Sequence, residues 1–166
     1  MSQFPLRLAS CAFGIALLAA CHTPPPKAMP STQILFVCDH GNVKSVMAMS
    51  YFNELATQRS LPFRAVSRGV AVDADAVPPG IASRLLADGF DVSAFRPTPV
   101  KATDVSASLH VVTIVTELPA AAQSSGVSVE RWNDVPPASA DYAASRSSLK
   151  SHVRKLIDQL TNPETE

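Results

Sequence analysis

Two stretches of this 166-residue chain, Ile34–Val37 and Leu109–Val115, are apolar and rich in β-branched residues, without the polar alternation of a half-wet strand. Runs of that kind belong to strands buried on both faces, which is the condition of a parallel sheet covered by helices. What lies between them has the complementary period. Met47, Tyr51, Phe52 and Leu55 share one stripe of a helix expected over Ser45–Arg59 and ended by Ser60 and Pro62. A second strand is expected at Phe63–Ser67. Pro78-Pro79 opens a helix carrying Ile81, Leu85 and Leu86, and Gly89 suits its left-handed stop. Thr103 suits the cap of a short helical turn, Val127–Trp132 reads as a weaker fourth strand, and Asp141 suits a helix cap. Leu149, Val153, Leu156, Ile157 and Leu160 recur at helical spacing and close the chain. Strand and helix therefore alternate, which implies an α/β fold: a single domain with a four-stranded parallel sheet flanked by helices on both faces.

The N-terminal segment follows a different logic. Arg7 precedes an apolar stretch, Leu8–Ala20, too short to span a bilayer comfortably and suited to a signal segment. It ends in Leu18-Ala19-Ala20-Cys21, which resembles the lipobox of bacterial lipoproteins. The resemblance implies a signal peptide over 1–20 and palmitate-type acylation of Cys21, and so a chain lipid-anchored to a membrane outside the cytoplasm. With His22 after the cysteine, the periplasmic side of an outer membrane is implied in a Gram-negative cell. Residues 21–32, with Pro24, Pro25, Pro26 and Pro30, form an extended tether. The domain proper is expected over 33–162, with a tail at 163–166. Loss of Cys11 with the signal and use of Cys21 by lipid would leave Cys38 as the sole thiol, excluding an internal disulfide.

Cys38 ends the first strand, and in open parallel sheets ligands bind beyond the carboxyl ends of the strands. Asp39, His40, Gly41, Asn42 and Val43 follow it, and Lys44-Ser45 opens a helix. Gly41 and Asn42 permit tight turns, so backbone N–H groups can curl around an anion while the helix N-terminus adds positive potential. The same field favours a thiolate, and a thiolate on the floor of an oxyanion loop suits attack on phosphorus or arsenic.

Ile34–Cys38, five further residues, Lys44-Ser45 and then Met47-Ala48 resemble the low-molecular-weight protein tyrosine phosphatases and the related arsenate reductases. Ala65-Val66-Ser67-Arg68-Gly69 resembles that family's second strand, Ala87–Val92 its Gly-Ile/Phe-Asp segment, and Trp132–Pro136 its Asp-Pro loop. The likeness covers roughly residues 33–160. It implies a phosphomonoester hydrolase that needs no cofactor, with Cys38 as nucleophile and residues 39–43 as the oxyanion cradle. It further implies that Ser45 steadies the thiolate, that Lys44 stands in the place of an arginine, and that Asp134 is the general acid. An oxyanion or phosphorylated substrate and the membrane are then the expected partners.

The chain departs from the family pattern at several points. Lys44 supplies charge without the two-pronged grip of a guanidinium. Asp39 would repel a dianion unless turned outward, the Gly-Asn pair is shifted one place, and Val135 separates Asp134 from Pro136. No further cysteine follows Cys38, which argues against a disulfide-relay arsenate reductase. A lapsed phosphatase that captures phosphate, arsenate or a phosphorylated ligand is the alternative. Blander roles also stand: a buried inert Cys38, an Asp134 that only forms a turn, a Trp132 that packs the core, and a solvated basic face of Arg146, Lys150, Arg154 and Lys155. Acidic and basic residues balance at 14 each, which offers nucleic acid no basic field. His22, His40, His110 and His152 lack ligand spacing, so no metal is expected.

Overall fold

The computed structural model describes residues 31–123 and 127–162. The expected signal segment, Cys21, most of the expected tether, residues 124–126 and the expected tail lie outside the described residues.

Four strands, β1 (Gln33–Cys38), β2 (Arg64–Gly69), β3 (His110–Ile114) and β4 (Val129–Trp132), form one sheet in the order β2-β1-β3-β4. All three pairings are parallel. The central positions fall to β1 and β3, the two apolar runs, because only they are flanked by strands on both edges and helices on both faces.

Alternate residues of each strand enter different cores. Ile34, Phe36 and Cys38 join Val112, Ile114 and Trp132 beneath α1 (Lys44–Gln58), α2 (Pro79–Ala87) and α4 (Tyr142–Thr161). Leu35, Val37 and Val111 face the other way and meet Val105 of the short α3 (Ala102–Ser106). Phe36 links the first core, with its ring 5.8 Å from Phe52 and 5.4 Å from Trp132. Trp132 is thus a core residue, as its size suggests.

Helix ends explain most boundary differences. α2 stops at Asp88 with Gly89 at φ 96°, the left-handed stop expected there. Asp141 caps α4 by accepting from the Ala144 N–H. α3, however, is not capped by Thr103: Lys101 holds the cap position and Asp104 accepts its backbone N–H. A third-position carboxylate reaches back to the cap amide, and that contact is open to it while Thr103 already lies inside the helix. β3 also ends one residue early, because Val115 takes φ 52°.

Candidate active site

Cys38 is the last residue of β1, on the face that carries α1, and its Sγ lies 3.0 Å from Oγ of Ser45 in the first turn of that helix. Both side chains are buried. Ser67 of β2 lies beyond them and donates to Ser45 Oγ at 2.8 Å. With its oxygen accepting from Ser67, Ser45 keeps its own proton for the sulfur, so the two hydroxyls form a chain that ends at Cys38 Sγ.

The loop between strand and helix is held from outside by its carbonyls. Val70 N–H donates to the Cys38 carbonyl at 3.1 Å and Ala71 N–H to that of Asp39 at 2.7 Å, while Ser67 Oγ, its one proton turned to Ser45, lies 3.3 Å from that of Gly41. In a trans peptide the N–H points opposite to the carbonyl. Those two backbone bonds therefore turn the N–H groups of Asp39 and His40 to the inner side of the loop. Gly41 completes the curl at φ 68°. A Cβ there would stand 2.5 Å from Gly69 N, and a Cβ on Gly69 would stand 2.7 Å from Gly41 N, so two glycines let loop and second strand touch. At the end of the loop Val43 gives α1 no side-chain cap, which leaves its first-turn N–H groups facing the same side.

The remaining loop residues divide. Asn42 is buried, with Nδ2 at 3.5 Å from the Ala76 carbonyl. His40 faces outward and pairs with Asp73 at 3.0 Å. Asp39 is exposed and accepts a hydrogen bond from Thr116 Oγ1, so its carboxylate has a partner in the loop after β3. Lys44 is half-buried and, among the described residues, makes no ion pair or side-chain hydrogen bond.

Asp134 follows β4 by two residues. Strand register sets Val37, Thr113 and Arg131 at one level, one residue before Cys38 and Trp132, which separates the first and third by two strand spacings, about 9.5 Å. The sheet thus brings the Asp134 loop and the Cys38 loop to the same edge. The carboxyl of Asp134, largely exposed, lies 2.8 Å from His152 Nε2 on α4. Its slight burial acts to raise its pKa, but the hydrogen bonds from its own backbone and His152, with the charges of His152 and Lys155, outweigh this and hold it below the usual aspartate range.

Sequence reasoning missed Ser67, Gly69, Thr116 and His152. Ser67 and Gly69 stood in the segment Ala65–Gly69 that carried part of the family likeness, yet nothing in their spacing told which atoms they would touch. The basic face of α4 also needs correction. Arg146 pairs with Asp88 at 2.9 Å and Lys150 lies over the Tyr51 ring at 4.9 Å, so two of its four cations are committed to structure. A surface depression of about 470 Å³ is lined by α4 alone, including Arg146, Lys150 and Arg154. With no facing wall it encloses nothing. Among the described residues, no three His, Cys, Asp or Glu side chains gather as metal ligands.

The family profile described as low molecular weight phosphotyrosine protein phosphatase matches residues 33–131. The chain belongs to this family. Its match spans β1, the Cys38 loop and the Ser67–Gly69 segment and ends at Arg131, three residues before Asp134. No curated protein matches the chain in sequence. Among solved structures, an arsenate reductase from Archaeoglobus fulgidus is similar at 27% identity and TM-score 0.62, over 75% of this chain and 98% of that one. YfkJ from Bacillus subtilis shares the fold at 18% identity and TM-score 0.72, over 84% of this chain and 100% of its own. A low molecular weight protein tyrosine phosphatase from T. tengcongensis shares it at 20% identity and TM-score 0.60, over 78% and 99%. The fold and the phosphatase-like character of the family member are thereby established.

Proposed function

We propose that this family member hydrolyses phosphomonoesters through a phosphocysteine on Cys38. The observation that carries the reading is the Cys38–Ser45 contact at 3.0 Å beneath inward-turned backbone N–H groups. In the first step the Cys38 Sγ–P bond forms as the ester P–O bond breaks, and Asp134 passes its proton to the departing oxygen. In the second, the oxygen of a water bonds to phosphorus, the S–P bond breaks, and the Asp134 carboxylate takes the water's proton. The loop N–H groups and Lys44 oppose the charge on the equatorial oxygens. The full-length protein in detergent, assayed on an aryl phosphate, should lose turnover entirely on Cys38→Ser. Turnover that survives the substitution refutes the reading.

A second reading keeps the loop and drops the chemistry: a capture module for phosphate, arsenate or a phosphorylated ligand. Lys44 and the engagement of Asp134 by His152 favour it. It predicts that phosphate protects Cys38 from alkylation while no ester is turned over.

For the whole chain we propose a lipid anchor on Cys21 and a site outside the cytoplasm, on the strength of Leu18–Cys21 and the proline-rich segment after it. A lipid set on Cys21 would bury far more apolar surface than the polar tether. Cys21→Ser should move the protein from the membrane fraction to the soluble one, and retention in the membrane would refute the anchor.

A further inference from the structure

α4 crosses the end of β4, and there a line of side chains fixes the direction of one hydrogen bond. The indole N–H of Trp132 donates to Glu130 Oε1 at 2.6 Å, and Glu130 Oε2 takes His110 Nε2 at 3.0 Å. Trp132 is buried and packed on Phe36, so its ring plane is set by neighbours on two strands. His152 stacks on that plane, with ring centroids 4.7 Å apart and 19° between the rings. An imidazole held flat has little freedom, and its Nε2 stands 2.8 Å from Asp134 Oδ1. Asp134, by contrast, lies in a turn with its carboxyl mostly in solvent. The ring is therefore the fixed partner and the carboxyl the one that is held.

We propose that His152 is the positioning residue of the general acid: stacked on Trp132, it sets where the Asp134 carboxyl stands over the sheet edge that carries Cys38. The inference rests on the phosphatase reading and goes beyond it, because the family match ends before Asp134. The groups that face His152 are Asp134 from the loop after β4 and Trp132 and Glu130 from β4 itself, while Lys155 on α4 adds its charge at Asp134. A hydrogen bond donated to a carboxylate favours its ionised form. The same contact that places Asp134 thus lowers the share of it that carries a proton for the first step and leaves it ionised for the second. Removing the contact should misplace the carboxyl and also return its proton affinity toward that of an ordinary aspartate.

The test compares full-length protein in detergent as wild type, His152→Phe, His152→Gln, Asp134→Asn and the double variant His152→Phe/Asp134→Asn. Nitrophenyl phosphate and an alkyl phosphate, whose leaving groups need little and much protonation, are the substrates. Phenylalanine keeps a ring to stack on Trp132, and glutamine keeps a neutral N–H donor. His152→Phe should lower kcat on the alkyl ester about tenfold to a hundredfold, the cost of misplacing a reacting group by around 1 Å. On the nitrophenyl ester kcat should change much less, and KM for both should stay level. The limb of the pH–rate profile lost by deprotonation of the acid should move to higher pH in His152→Phe, and His152→Gln should recover most of kcat. In the Asp134→Asn background His152→Phe should cost nothing further, since both act through one carboxyl. Trp132, the only tryptophan, reports by its fluorescence that each variant is folded. Equal losses on both esters, an unmoved limb, or additive losses in the double variant overturn the positioning role while Cys38-dependent turnover keeps the phosphatase reading. Absence of turnover in the wild type overturns both.

Discussion

At the scale of single residues, the carboxylate of Asp39 has the least expected arrangement. It sits next to Cys38, where it would repel a phosphate dianion, and Thr116 Oγ1 donates to it from the loop after β3. Val115 accepts φ 52°, a left-handed conformation costly for a β-branched residue, and by turning the chain there it presents Thr116 to Asp39. Thr116→Val removes the donor and keeps the shape, so phosphate should bind more weakly, and Asp39→Asn added to it should restore binding. Calorimetric titration with inorganic phosphate measures both. Lys44 invites the opposite experiment. Guanidinium grips two equatorial oxygens where an ammonium opposes them with a point charge, and each added charge-assisted hydrogen bond is worth about 1.5–3 kcal/mol. Lys44→Arg should raise kcat on an aryl phosphate, and a lower kcat would mean that the loop is built around lysine.

Elements contribute what single residues cannot. β4 is short and lies at the sheet edge, yet it carries Glu130, which takes bonds from His110 on β3 and from Trp132 within its own strand. The hydrogen bond from His110 is the main reason why its carboxyl lies below the usual glutamate range, with burial opposing and Trp132 assisting. A carboxyl lowered by folding adds stability that is complete above its unfolded value, about 4.3, and is lost as pH falls through its folded value. Glu130→Gln should therefore lower stability at neutral pH and flatten the decline of the urea midpoint below about pH 4.3. The loop–strand contact of Gly41 with Gly69 is the other device at this scale. Gly41→Ala would force a Cβ to within 2.5 Å of Gly69 N at a positive φ, and it should abolish phosphate binding as well as lower the melting temperature.

Across the whole molecule, the helices on the active face are joined by one polar knot. Tyr51 of α1 and Tyr142 of α4 both donate to Asp88 Oδ2 at 3.0 Å, and Arg146 reaches Asp88 Oδ1 at 2.9 Å. Burial, then the neighbouring hydroxyl and Asp88, push the Tyr51 phenol far above its ordinary range, so it stays a donor throughout the physiological range. Because α1 begins at the end of the Cys38 loop and α4 carries His152, the knot ties together the elements that hold Cys38 and Asp134. Asp88→Ala should cost about 2–3 kcal/mol, the worth of a hydrogen bond to a charged group, read as a lower urea midpoint at unchanged slope. A shift of a few tenths would mean that the tyrosines re-pair with each other.

What the sequence determined by itself is what depends on local period and spacing. The two apolar runs dictated central parallel strands because nothing else buries both faces, and the seven-residue step from Cys38 to Ser45 placed thiol and hydroxyl across one strand–loop–helix turn. Tertiary structure decided the partners that lie far along the chain. Ser67 meets Ser45 across 22 residues and Thr116 meets Asp39 across 77, because parallel register sets β2 and β3 on either side of β1. His152 meets Asp134 only because α4 folds back over β4 and stacks an imidazole on Trp132. Side-chain type and spacing state which groups a chain owns. Strand order and helix crossing decide which of them end within hydrogen-bond reach, since that distance is set by packing in three dimensions and leaves no period in the sequence.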